Sequence, residues 1–366
     1  MRVLIAPDKF KGSLTARAVA ESIAIGLRDV LPDASIETMP VADGGEGTAA
    51  AICDAGNGEW VSCGAHDALG RAIEARYVWL AERRTAVFEM SEAAGMWRIA
   101  ADERNLLRGD TYGVGEVIRN ATERNGREIV VGLGGSATND GGFGMARALG
   151  FRFFGNEREL KEPAELVQLS RIEKPSESIA PTIRALADVR NPLLGARGAT
   201  QTFGKQKGGT SDELELLERA LERLADVVAR DLGRDFRETA SAGAAGGLGF
   251  GLLSFCGAKM TPGFEAVADL IGLRAAIEKS DVVITGEGSL DQQTLEGKAP
   301  AGVAKLARES GKRVFAIAGI AAEALRLHAL FDGVFVLARD QITPGEAVAR
   351  AAELLRERAR ELARML

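Results

Sequence analysis

Apolar positions recur along this chain with two different periods, and the alternation between them lays out its elements. Arg2 to Ala6 is a short apolar run that predicts a strand, and Thr15 to Val30 then places Val19, Ile23, Leu27 and Val30 at helical spacing. Ser35 to Met39 reads as a second strand, and "GTAAAICDAG" (47–56) as a second helix. From Glu59 the texture changes: "EWVSCGA", "IEARYVWL" and "RTAVFEM" are short strand-like runs separated by turns, which predicts antiparallel pairing. A helix over 114–124 and a strand over 128–132 follow. Thr210 to Ala229 predicts another helix, because Thr-Ser-Asp-Glu forms a capping box and Leu214, Leu217, Leu221, Leu224 and Val228 make an apolar stripe. After about residue 278 strands and helices alternate again, with strands at 281–285, 313–319 and 333–338 and a helix over Pro300 to Glu309.

Two strands at the N-terminal end cannot make a stable parallel sheet by themselves, but the two ends of the chain can complete each other. The pattern predicts an α/β protein: a doubly wound, flavodoxin-like parallel-sheet domain from residues 1–57 and 278–366, split by an inserted second α/β domain with a mixed sheet over 58–277. A length of 366 residues fits two cores.

Composition narrows the function classes. The net charge of −6, with no basic stripe, argues against nucleic acid as a partner. Cys53, Cys63 and Cys256 make no CxxC spacing, which fits free thiols in a reducing, cytoplasmic setting. With only His66 and His328, a His-rich zinc site or a Ser-His-Asp triad has little material, and His328 reads as a packing or surface residue of an amphipathic helix. The N-terminus carries no signal-peptide apolar region. Thr239 to Ala258 is uncharged for twenty residues, long enough to cross a bilayer, but its six glycines make it a poor membrane helix. It reads as a glycine-rich turn followed by a buried helix, so no membrane partner is expected; the sequence leaves a homo-oligomer open.

In a doubly wound domain, ligands bind beyond the carboxyl ends of the strands. Three loops belong there: "PDKFKGS" (7–13) with Asp8, Lys9, Lys11 and Ser13; "ADGGEG" (42–47) with Asp43 and Glu46; and "GEGSLDQQT" (286–294) with Glu287 and Asp291. Each alone is ordinary turn chemistry. Together they offer acids for Mg²⁺ or for a general base, and lysines for an anionic group. The inserted region adds "VGLGGSATNDGG" (131–142), a glycine-rich turn between a strand and a helix, as well as "ADVRNPLLG" (187–195), "FGKQKGG" (203–209) and "GAAGGLG" (243–249). The 131–142 loop is no Walker A loop, since Gly-x4-Gly-Lys-Ser/Thr is absent. Gly132 to Ala137 fits the Rossmann pattern G-x-G-x-x-A literally, and it also resembles the "GLGSSA" phosphate loop of the galactokinase and homoserine kinase superfamily. A cleft between a carboxylate-bearing and a glycine-and-lysine-bearing lobe suits phosphoryl transfer, which needs positioning and charge neutralisation more than covalent chemistry.

Taken in order, "APDKFKGSLTA" (6–16), "PVADGGEGT" (40–48), "FEMSEAAG" (88–95), "TYGVGEVI" (111–118), "GLGGSATNDGG" (132–142), "DVRNPLLGARGA" (188–199), "FGKQKGG", "GAAGGLGFGL" (243–252) and "VITGEGSLDQQTLEGKAPAGVA" (283–304) resemble the type I glycerate kinases over nearly the whole chain. The resemblance implies ATP and Mg²⁺ dependence, a two-domain fold with an inserted lobe, and D-glycerate converted to 2-phosphoglycerate. The residue roles are our assignment. Asp43, Asp188 and Lys9 are expected in catalysis. Asp8, Lys11, Ser13, Asn191, Glu287 and Asp291 are expected at the substrate. Gly134, Gly135, Ser136, Thr138, Asn139, Lys205 and Lys207 are expected around the nucleotide, and Asp188, Asp43 and Glu46 at the metal. Ser289 stands where the family usually has Arg, and Arg108-Gly109-Asp110 where it often has Ala-Thr before the Thr-Tyr-Gly. Two other classes compete: an NAD-type dehydrogenase of a small hydroxy acid, and a non-catalytic sensor of a small acid.

Overall fold

Strand Arg2–Ile5 lies second from one edge of a five-stranded sheet whose order is Gly333–Val336, Arg313–Ala321, Val282–Leu290, Arg2–Ile5, Ser35–Thr38, all neighbours parallel. The computed structural model describes residues 1–56, 58–176, 181–291, 298–322, 329–339 and 342–366. It divides into two compact units, one of Met1–Asp43, Ala50–Gly58 and Gly263–Leu366, the other of Gly44–Ala49 and Glu59–Pro262. Helices Gly263–Ile271 and Leu273–Lys279 therefore belong to the first unit, and Asp43 and Gly44 fall in different units. His328 lies outside the described residues.

In the first unit the period-two alternation of strands sends Val3, Ile5, Val282, Ile284, Phe315 and Ile317 into one core. Val19, Ile23 and Leu27 from helix Ala16–Arg28 meet them there, with Leu354, Leu355 and Leu362 from helix Ala351–Ala363. Thr15 caps the first of these helices by accepting a hydrogen bond from Ala18 N (3.2 Å). Gly26 is tolerated in its middle because the two helices cross there; a Cβ would lie 2.3 Å from Arg356 O.

One expectation is corrected. The strand at 281–285 does not give way to a loop at Gly286 but runs as Val282–Leu290, paired with Arg313–Ala321 along its length. The glycines in "GEGS" read as turn signals, yet they serve close approach: a Cβ on Gly286 would meet Ile317 O at 2.0 Å, and one on Gly319 would meet Gly288 O at 2.5 Å.

The second unit holds a six-stranded mixed sheet in the order Lys259–Thr261, Thr182–Leu186, Glu128–Gly132, Thr85–Glu89, Ala72–Leu80, Glu59–His66. The three runs from Glu59 to Glu89 pair antiparallel, as their patterning predicts, and the remaining pairs are parallel. A small sheet of Arg158–Glu159, Arg152–Gly155 and Arg171–Glu173 stands apart. Helix Ser211–Leu232 starts at the capping box of Thr210 and Glu213 and ends at left-handed Gly233. It buries Leu214, Leu217, Leu221, Leu224 and Val228.

Helix Ala244–Cys256 becomes regular only at Leu248, because Ala245, Gly246 and Gly247 are left-handed. Here two glycine-rich segments pack backbone against backbone. A Cβ on Gly246 would lie 2.0 Å from Thr138 O, one on Gly247 2.8 Å from Gly141 Cα, and one on Gly142 2.7 Å from Gly251 Cα. Gly141 N donates to Gly246 O at 3.0 Å across this seam. Among the described residues no helix is long and apolar enough to cross a membrane.

The seam makes a stability prediction. Gly246→Ala combines a left-handed backbone with a clash and should cost about 2–5 kcal/mol in urea unfolding. Gly233→Ala, with positive φ but open space around it, should cost only about 1–2 kcal/mol. Equal losses in the two variants would contradict the seam.

Candidate functional site

The acids of the first unit gather after the strand ends. Asp8 follows strand Arg2–Ile5, held by its amide on Gly286 O (2.8 Å), and is 8 % exposed. Its Oδ1 accepts from Lys9 N at 2.6 Å. Burial first, and the like charge of Asp43 second, push the Asp8 carboxyl up to about 7; the Lys9 charge opposes this and Glu287 adds to it. Glu287 is buried on strand Val282–Leu290, with Lys298 Nζ 3.8 Å from its Oε2. The structure thus brings Asp8, Lys9, Asp43 and Glu287 into one electrostatic group and adds Lys298. That lysine stands in the quoted "LEGKAPAG" run, but only its position before the helix at Ala299–Glu309 marks it out.

Lys11 is exposed, and the Ser13 hydroxyl donates to Val348 O at 2.8 Å, which ties the loop to a neighbouring segment. Ser289, in the position of the family's usual Arg, donates its hydroxyl to Asp291 Oδ2 at 3.3 Å. Residues 292–294 of that expected loop lie outside the described residues.

In the second unit the glycine-rich loop leaves strand Glu128–Gly132 and is fixed on both sides. Leu133 N donates to Leu186 O (3.0 Å), Met96 N to Gly135 O (2.9 Å) and Ala137 N to Ala94 O (2.8 Å). The amides of Gly134, Gly135 and Ser136 have no protein acceptor among the described residues. Gly135 is left-handed at φ 72°, a conformation suited to turning successive N–H groups toward one anion. The glycines of "DGGEG" back onto this loop: a Cβ on Gly132 would lie 2.9 Å from Gly44 O, and one on Gly134 3.3 Å from Gly45 Cα.

Asp140 anchors the far end of the loop, and sequence reasoning missed it. It accepts from Thr111 N (2.9 Å), Thr111 Oγ1 (2.7 Å), Gly142 N (3.1 Å) and Gly144 N (2.9 Å). Complete burial raises its pKa against these four bonds. An Asp directly before Gly-Gly at a helix entry was the available signal. Thr111 in turn accepts from Met145 N (3.0 Å), so the Thr-Tyr-Gly motif earns its place as a buckle rather than as a substrate contact.

Ser136, Thr138 and Asn139 are buried. Asn139 Nδ2 donates to Thr200 Oγ1 (3.0 Å), while Asn139 Oδ1 and Thr138 Oγ1 find no partner among the described residues. Lys207 is 3 % exposed and donates to Ser136 Oγ and Thr138 O, both at 2.7 Å. Burial lowers its pKa to about 7, only partly offset by Asp140. Lys205, Glu46 and Asp188 are exposed. Asn191 uses its amide on Arg197 O (2.7 Å) and Thr202 Oγ1 (3.3 Å), so it shapes a turn.

Among the described residues no group of three or more His, Cys, Asp or Glu side chains is placed to hold a metal ion by itself. The literal dinucleotide match does not carry over either. The helix after the loop is Phe143–Ala148, so Thr138 to Gly142 intervene where a cofactor helix would already be running.

Acids gathered at one sheet edge, and a glycine loop with open amides on a separate sheet, are the equipment of an α/β phosphotransferase. The Glycerate kinase family model matches residues 3–366. The chain is 39 % identical to a glycerate kinase of Bacillus subtilis, covering 99 % of this chain and 97 % of that protein. It is 38 % identical to glycerate 2-kinase of Escherichia coli, covering 87 % and 85 %. A crystal structure from Salmonella typhimurium, described as a glycerate kinase 2, superposes with a TM-score of 0.89 at 39 % identity, covering 100 % of this chain and 98 % of that one. The chain belongs to the glycerate kinase family.

The buried lysine leaves a signature in stability. Because its folded pKa of about 7 lies below its ordinary 10.5, the folded protein binds fewer protons than the unfolded chain between those values, and stability rises with pH across that window. Against Lys207→Met, the unsubstituted protein should gain on the order of 1 kcal/mol per pH unit in urea unfolding between pH 7 and 9.5. Parallel curves would show that this amine titrates normally.

Proposed function

We propose that this protein transfers the γ-phosphoryl group of ATP to the C2 hydroxyl of D-glycerate, giving 2-phosphoglycerate and ADP. The observation that carries the reading is the loop at Gly134–Ser136, whose three amides lack protein acceptors among the described residues and so can take phosphate oxygens. Exposed Lys205 supplies a nearby cation for the same anion. The family relationship narrows the phosphotransferase to glycerate.

In the reaction the hydroxyl oxygen attacks the γ-phosphorus as the bond to the β-bridging oxygen breaks, and the hydroxyl proton must leave. Asp8 is the acceptor we assign. A carboxyl near 7 is half ionised at neutral pH and holds a proton well enough to draw it from an alcohol in the transition state. Asp43, expected in catalysis and at the metal, raises Asp8 and is assigned here as a charge holder. Lys9 and Lys11 are assigned to the substrate carboxylate, and Glu287 with Lys298 keeps that end of the unit electrostatically balanced.

Mg²⁺ fits the donor set without an all-protein cage, since it usually takes one or two carboxylates and completes its shell with phosphate oxygens and water. Buried Asp8 beside Asp43 and Glu287 gathers carboxylates of the kind that a divalent cation can bind. Asp43 is our metal-ligand candidate in the first unit, and exposed Asp188 and Glu46 are those of the second. When bound, Mg²⁺ would neutralise the transferring phosphates. We also take the first unit as a doubly wound domain interrupted by the second, acting in the cytoplasm on small molecules rather than nucleic acid.

With D-glycerate, ATP and Mg²⁺, phosphorus NMR should show 2-phosphoglycerate and ADP, and EDTA should stop both. Asp8→Asn should lower kcat by roughly 10²–10⁴ with a smaller change in KM. A variant that keeps near-normal turnover would remove Asp8 from the chemistry.

A further inference from the structure

Lys207 sits in the "FGKQKGG" run and was expected to meet phosphate. Its surroundings say otherwise. The segment beneath it is pinned by Lys207 N on Gly204 O (3.1 Å), Gly208 N on Lys205 O (3.0 Å) and Gly209 N on Gly204 O (3.2 Å). Gly204 and Gly209 lie so close under helix Ser211–Leu232 that a Cβ on either would strike Leu214, at 2.2 and 2.7 Å. From this fixed base the side chain runs inward. Its Nζ spans Ser136 Oγ and Thr138 O, two points on opposite sides of Ala137. The same stretch of chain makes a second tie to the loop through Thr200 and Asn139.

We infer that Lys207 is a positioning residue: its amine braces the loop from Ser136 to Thr138 and so aims the open amides of Gly134, Gly135 and Ser136, without itself touching phosphate. The inference rests on the reading of that loop as the phosphate-binding wall. Two facts separate it from the phosphate-ligand role that Lys205 can still fill. The amine is enclosed, with two of its bonds spent on the loop, whereas Lys205, two residues earlier, is exposed. Burial also drains its charge near neutral pH, and a neutral amine offers a polyphosphate little, while it braces a hydroxyl and a carbonyl as well as before.

The test compares Lys207→Met, Lys207→Gln and Lys205→Met with the unsubstituted protein. Hydrogen exchange of the ligand-free proteins should show faster exchange at 134–139 in Lys207→Met and none of this in Lys205→Met. Kinetics should show KM for ATP raised about tenfold or more in Lys207→Met, with KM for D-glycerate within about twofold, a split that general destabilisation would not give. Lys207→Gln, neutral but still able to donate, should recover part of the loss. The steepness with which salt weakens ADP binding should fall in Lys205→Met and stay unchanged in Lys207→Met, because only a cation at the phosphate contributes to it.

The inference is overturned if Lys207→Met keeps loop protection, or if its ADP binding loses salt dependence while Lys207→Gln rescues nothing. Should Lys207→Met fail to fold, Ser136→Ala removes one of the two braces. It should speed loop exchange in the same direction, and abolished turnover with an undisturbed loop would sink the brace. The exchange readout needs no ligand, so it judges the brace even if ADP fails to bind, whereas failure of ADP to bind the unsubstituted protein judges the reading of the loop.

Discussion

The second unit depends on one close contact: the backbone of 138–142 lying against the backbone of 243–251 with almost no side-chain atoms between. Such a contact requires glycine on both sides, and it fixes the path of the loop before any polar group acts. The polar groups then lock what the packing allows. Asp140 gathers four donors, Lys207 braces Ser136 and Thr138, and Asn139 reaches Thr200. Among the described residues, the amides of Gly134, Gly135 and Ser136 are left without a protein acceptor. A loop that satisfies its own ends and leaves its crest open is preorganised for an anion, and the cost of ordering it is met at folding rather than at binding.

The first unit works by the opposite electrostatic rule. Its strand ends bring acids together, and burial and Asp43 raise Asp8 even though the Lys9 amide and charge pull it down. A buried group of like charges is unfavourable for stability, and it persists where chemistry uses it. One unit presents amides without a protein acceptor among the described residues, and the other a group of carboxylates. Phosphoryl transfer needs both, because the phosphate must be neutralised while the attacking hydroxyl gives up its proton.

Much of the fold was legible because periodicity reports burial. The capping box at Thr210 and the antiparallel runs from Glu59 to Glu89 appear where the pattern puts them. The glycines were harder. In "GEGS" they read as a turn, yet they sit in a strand and make room for Ile317 O, since local sequence cannot tell a glycine needed for its φ from one needed for its missing Cβ. Side-chain direction was not legible either. Lys205 and Lys207 are two residues apart with the same chemistry, and only the short 3-10 turn at Lys205–Lys207 decides which faces solvent and which is enclosed. Asp140 escaped notice for a similar reason, as its partner Thr111 is remote in sequence.

The central claim is that the amides of Gly134, Gly135 and Ser136 take the nucleotide phosphates. It is tested most directly by NMR of protein labelled with nitrogen-15 at glycine, titrated in parallel with ADP and with adenosine in the presence of Mg²⁺. The account predicts that the Gly134 and Gly135 signals move with ADP and not with adenosine, while Gly246 in the seam moves little with either. Signals from Gly134 and Gly135 that ignore ADP at saturation, or that follow adenosine equally, would contradict it.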